Sequence, residues 1–268
     1  MPIAALVSFC QYVTLVGSAL TVFKLFTSGL YKRYRLFLTY FVFRVPYAVL
    51  SLILNHLKGS PGHSGTSSDA YFFFFIYTEP ILMLFYILVV IELYGLVLER
   101  YKGLYTLGRW AMYTSLVIAI IISMLTLLPK IAASTPEPSK YLYYEMGVER
   151  GIDLALVIFI LLIVAFLTRY PVPLSRNVMV HTVIYSVFFL SDTFVLLLRT
   201  VIGWTATDRI NLCFAVLASA CSIAWWLLLS ANGEEVQINV PHLRPGAEEQ
   251  ILHQLDSLNA TLLKVSRK

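Results

Sequence analysis

Charge is scarce in this chain, and that scarcity excludes an ordinary soluble protein. Only 13% of its 268 residues are Asp, Glu, Lys or Arg, while 59% are apolar; soluble domains carry about a quarter charged and about half apolar residues. Cysteine is scarcer still. Cys10, Cys213 and Cys221 all fall inside apolar runs, where they read as small fillers, with a Cys10–Cys213 bridge as the minor alternative. Three such residues build no disulfide framework and say nothing of redox compartment. Walker loops, zinc signatures and a soluble catalytic domain are missing, and the five histidines show no close ligand spacing, so no metal site or cofactor is expected. The connecting stretches are short as well. None approaches the roughly 50 residues that a folded ectodomain needs.

What is abundant is uninterrupted apolar sequence. Seven runs occupy residues 3–26, 36–57, 71–97, 110–132, 151–167, 178–202 and 210–230, and the mean hydropathy of the chain is +0.77. About 20 apolar residues cross ~30 Å of hydrocarbon as a helix, and backbone groups without water partners must bond within the helix. The sequence therefore predicts an all-α membrane protein, a seven-helix transmembrane domain over 1–232. A cytoplasmic tail over 233–268 follows, with a short amphipathic helix at about 246–265.

The net charge of +5 records orientation rather than an affinity for nucleic acid. Thirteen basic residues, among them Lys24, Arg33, Arg100, Arg169 and Lys268, fall on one side of the seven runs, and six, among them Lys58 and Arg150, on the other. Positive residues stay inside, so the N-terminus is expected outside and the tail in the cytoplasm. Met1-Pro2-Ile3-Ala4 lacks a basic leader, so the first run reads as a retained span.

Two inner-face features suggest contacts beyond the lipid bilayer. Each inner linker carries an Arg-Tyr pair: Arg33-Tyr34, Arg100-Tyr101 and Arg169-Tyr170. A cation snorkelling beside an interfacial aromatic explains the repeat, and so does a docking ring for a cytoplasmic protein or an anionic headgroup. In the tail, Ile251, Leu255, Leu258, Leu262 and Val265 form a heptad seam. It suits packing on the inner face of the bundle or self-association and partner docking equally well.

Ionisable groups within the runs cost about 2.5–3.5 kcal/mol each at a helix centre, so they demand partners or a use. Arg44 lies ~12 Å from the inner edge and Glu79 ~12 Å from the outer edge, at 1.5 Å per residue, leaving ~6 Å between them. They are expected to pair, with Asp192 able to join, as one intramembrane polar network. Pro46 and Pro80 beside them favour kinks. Asp153, next to Glu149 and Arg150, opens the fifth run, and Glu92 near the inner end of the third reads as solvated. No nucleophile accompanies these acids, so catalytic residues are not assigned and the chain is not expected to be an enzyme.

Glu99-Arg100-Tyr101 looks like the acidic-Arg-Tyr motif of G-protein-coupled receptors, but the likeness ends there. The last run has no Asn-Pro-x-x-Tyr, and it contains no lysine, which excludes a retinal Schiff base. The aromatic start of the third run with its glutamate (Tyr71 to Glu79), the segment Ile91 to Tyr94, the linker Arg169 to Arg176 and the leucine-bearing tail point elsewhere. Together they resemble a group of bacterial seven-helix proteins that occur as free-standing chains of this length. Pro80 departs from the small residue common there. The resemblance implies a multi-pass protein of the bacterial inner membrane and no particular activity. The expectation is a sensor or scaffold that passes a lipid-borne or small-molecule signal to a cytoplasmic partner. The alternative is a small secondary transporter or proton-coupled carrier using Arg44, Glu79 and Asp192.

Overall fold

In a computed structural model, seven long helices stand among the described residues. Residues 3–58, 66–98, 101–133, 137–169, 174–202, 207–234, 236–237, 253, 256–257 and 259–261 are described. The helices are α1 (Ile3–Thr27), α2 (Arg35–Lys58), α3 (Thr66–Val97), α4 (Lys102–Ala133), α5 (Glu137–Arg169), α6 (Arg176–Ile202) and α7 (Thr207–Leu228). A single 3-10 turn, Leu30–Lys32, links α1 to α2, and its leading Gly29 has a φ of 70°, a left-handed turn that other residues rarely adopt. Strands β1 (Leu174–Ser175) and β2 (Val236–Gln237) pair antiparallel, tying the entry of α6 to the segment beyond α7.

Among the described residues six helices, α1, α2, α3, α4, α6 and α7, are long and apolar enough to cross a membrane. The exposed surface fits lipid. Phe9, Phe23, Trp110, Leu162 and Val183 all face outward, far more apolar area than a soluble monomer displays. A multi-pass helical membrane protein is the plain reading.

Several helices outrun the apolar stretches that announced them. Apolarity marks where lipid begins, whereas backbone hydrogen bonding carries a helix on into the headgroups and water. Thus α5 begins at Glu137, with Pro138 in its first turn, where a missing N–H costs nothing. Both α2 and α3 run unbroken past Pro46 and Pro80.

Six helices close into a ring in the order α1, α2, α3, α5, α6, α7, and α4 packs against α5 and, less closely, α3. Helix α1 packs on α2 and α7, α2 on α3, α5 on α4 and α6, and α6 on α7, while α3 touches α2, α4, α5 and α6. The α1–α7 seam is parallel and close. Thr14 and Ser219 share a hydrogen bond of 3.0 Å, Ser219 donates to the Cys10 carbonyl, and a Cβ on Gly17 would lie 3.1 Å from the Ser222 Cβ. Lys24 donates to the carbonyls of Trp226 and Leu227, where a cation suits the helix C-terminus. One half of the core is aromatic: Phe37, Phe41, Tyr185 and Trp225 meet edge to face or tilted. All three cysteines are free, Cys213 exposed, so the Cys10–Cys213 bridge is not formed.

Candidate functional site

The polar groups that enter the bundle gather at two levels. One is built on α5 and α6. Gly151 brings α5 against α4 so closely that a Cβ there would lie 2.7 Å from the Ile120 Cα. Asp153, two residues on and about 200° round the helix, therefore faces away from α4 and into the bundle. Glu149 is one turn before it on the same face. Asp192 of α6 meets them from the other side, and one carboxylate oxygen from each of Glu149, Asp153 and Asp192 lies within 4.8 Å of the other two. Asp153 is 1% exposed and neither of its oxygens accepts a hydrogen bond; Asp192 is 8% exposed. Arg150 turns the opposite way, donating to the hydroxyl and carbonyl of Ser123 (3.0 Å each) and to Thr126 on α4.

Arg44 and Glu79 lie close by but do not form the direct ion pair expected of them. Arg44 donates to the Tyr40 hydroxyl one turn earlier and lies over the rings of Tyr40 and Phe188, at 5.5 and 5.6 Å from their centroids. Glu79 instead accepts a hydrogen bond of 3.1 Å from Tyr47. Aromatic faces next to it attract the guanidinium. Depth alone predicted the pair, and depth carries no information about which side of each helix faces the other. Of the expected network, Asp192 joins Glu149 and Asp153 within 4.8 Å, while Arg44 and Glu79 find neighbouring tyrosines.

No family model matches the chain, no curated protein matches it, and no solved structure matches it. Its site must be read from its own atoms.

The second level joins the opposite ends of the same helices. Glu234, at the root of the tail, accepts hydrogen bonds from the Tyr34 hydroxyl (2.7 Å) and from Asn177 Nδ2 (2.5 Å), and it pairs with Arg33 at 3.1 Å. Asn177, at the start of α6, also donates to the Ser230 carbonyl at 2.8 Å. Burial and the Glu234 contact push the Tyr34 phenol up from its ordinary value. Glu92 is not solvated: its two oxygens accept the N–H groups of Leu36 and Phe37, each at 2.9 Å, capping the start of α2 from α3. Beside it His181 packs on Tyr34 and Phe37, at 4.7 and 4.4 Å between ring centroids, with both ring nitrogens unpartnered.

The expected docking residues divide. Tyr34 and Tyr101 are 2% and 1% exposed, so both are packing residues and neither presents itself to a partner. Arg33 is exposed and bound to Glu234. Arg100, Tyr170, Ile251, Leu255, Leu258 and Leu262, and the side chain of Arg169, lie outside the described residues. One tail contact is placed: Asn259 Oδ1 accepts the Gly103 N–H at 2.7 Å, capping the first turn of α4.

Sequence reading missed the convergence of Glu149 and Asp153 with Asp192. The i, i+4 spacing of Glu149 and Asp153 was legible, but that α6 would turn Asp192 toward them was not. The bonds of Asn177 and Glu234 had no motif to announce them.

Proposed function

We propose that this protein is a membrane sensor of seven spans, α5 included, in a bacterial inner membrane, with its N-terminus outside and its tail in the cytoplasm. A signal arriving at the buried carboxylates between α5 and α6 is passed to the inner face. One observation carries this reading: α6 bears Asp192 in the carboxylate group and Asn177 in the Glu234 knot at the tail root. The two are 15 residues apart, 192 minus 177, or about 22 Å along one helix. A ligand that shifts α6 at one end must therefore strain or relax the Asn177–Glu234 bond at the other. Coupling of this kind needs an element with two arrangements that both sites bias. Arg33, the inner linkers and the tail are the readout surface.

Deletion of residues 246–268 separates sensing from transport, because it removes no residue of α1 to α7. Affinity purification from the native membrane, with and without the tail, is the measurement. The sensor reading expects the truncated chain to keep its melting temperature within a few degrees yet lose the cytoplasmic protein that the full chain retains. Co-purification of the same proteins by both forms would sink it.

The carrier reading, with Arg44, Glu79 and Asp192 as its polar path, has one observation in its favour: Asp153 adds a buried carboxylate beside Asp192. Proton flux in reconstituted vesicles, abolished by Asp192→Asn and indifferent to the tail, is what that reading expects.

A further inference from the structure

We propose that Glu149, Asp153 and Asp192 form a binding site for a hard divalent cation of the calcium class. Three carboxylates crowded together, two of them buried, repel one another strongly. A shared proton or a positive charge among them relieves that repulsion. The geometry admits a cation. Ligand oxygens sit about 2.3–2.6 Å from calcium, so oxygens on opposite sides of one ion are about 5 Å apart. The three oxygens here fall within 4.8 Å of one another.

Asp153 supplies the independent observation. It is 1% exposed, its carboxylate points into the group, and neither oxygen meets a donor. A buried carboxylate normally accepts two or more hydrogen bonds. The nearest cation along the chain, Arg150, is spent on Ser123 and Thr126 across the α4–α5 seam. The ligands are all oxygen, which selects hard ions over the softer transition metals. Glu149 is only half-buried, which gives an ion a way in past the charged first half of α5.

This names the ligand class of the sensor reading, but the binding step does not depend on it. A chain lacking residues 246–268 should bind the ion equally well, so a missing tail readout and a missing ion site are distinguishable.

The test uses the full-length protein in detergent, stripped with chelator and titrated with calcium chloride. Thermal unfolding and isothermal titration are the readouts. A site specific to the folded state raises the melting temperature in a saturable way. Asp153→Asn and Asp192→Asn should each weaken binding by about tenfold or more, whereas Asp256→Asn, on the exposed tail, should leave it unchanged. Both ligand variants relieve the crowding, so each should melt higher than the parent in chelator. If Asp153→Asn does not yield folded protein, the half-buried Glu149→Gln replaces it. The proposal is overturned if millimolar calcium moves neither readout, or if the shift survives in the variants. It is equally overturned if the melting temperature responds to pH alone and Asp153→Asn abolishes that response, because the group then stores protons.

Discussion

At the scale of single residues, buried charge in this protein is handled by different means at each place. Glu234 collects two donors and an ion-pair partner, Arg44 rests on aromatic rings, and Glu92 takes the open N–H groups of another helix. The last is the most exposed to a simple test. Replacing Glu92 with Ala leaves the Leu36 and Phe37 amides without acceptors, and each stranded buried donor costs about 1–3 kcal/mol. The expected result is a clear fall in melting temperature in detergent, with Glu92→Gln between the two because its carbonyl can still accept one of the bonds. An Ala variant that melts with the parent would mean the α2 start is satisfied by water.

At the scale of elements, the α4–α5 seam positions the carboxylates. Gly151 is required there by proximity rather than by backbone conformation, because an added methyl meets the Ile120 Cα at 2.7 Å and the Ala119 carbonyl at 3.1 Å. Small residues let membrane helices approach backbone to backbone. Gly151→Ala should therefore push the helices apart or rotate α5, lowering yield and melting temperature. It should also weaken calcium binding although no ligand is touched. Wild-type stability together with wild-type calcium affinity in the Ala variant would remove the seam from the account. Much of this level was legible: the apolar runs foretold that the long helices exist and roughly where each runs. Their ends were not, because α3, α4 and α5 continue past the apolar stretch, and composition does not mark where hydrogen bonding stops. Pairwise facing was hidden too. Arg44 and Glu79 lie at similar depth, yet each bonds to a tyrosine of its own surroundings.

For the whole molecule, orientation rests on the unequal distribution of basic residues, and labelling in intact cells checks it. Cysteine placed at Ser64 or Ser139 should react with a membrane-impermeant reagent from outside. At the exposed Lys32, cysteine should react only after permeabilisation. Outside reactivity at Lys32→Cys would invert the topology and place the carboxylates toward the cytoplasm. Arrangement at this scale was the least legible level, since apolar runs give neighbours in sequence and not in space. That α3 touches α2, α4, α5 and α6, and that the carboxylates meet on α5 and α6, follows from side-chain shape summed over every seam. The small-residue contact of Gly17 with Ser222 left no pattern strong enough to read in advance.

The parallel seam between the first and last helices also bears on how the protein is made. Thr14 meets Ser219 across 205 residues of intervening chain. At about 5–20 residues per second, α1 is in the membrane for roughly 10–40 s before its partner is synthesised. Through that interval Thr14, Ser18 and Thr21 bond back to their own helix, at 2.9, 2.7 and 2.8 Å, so the waiting surface holds its polar groups within itself. Helix α1 can thus stand alone in lipid during translation, and the ring closes only when ribosomes have nearly finished the chain.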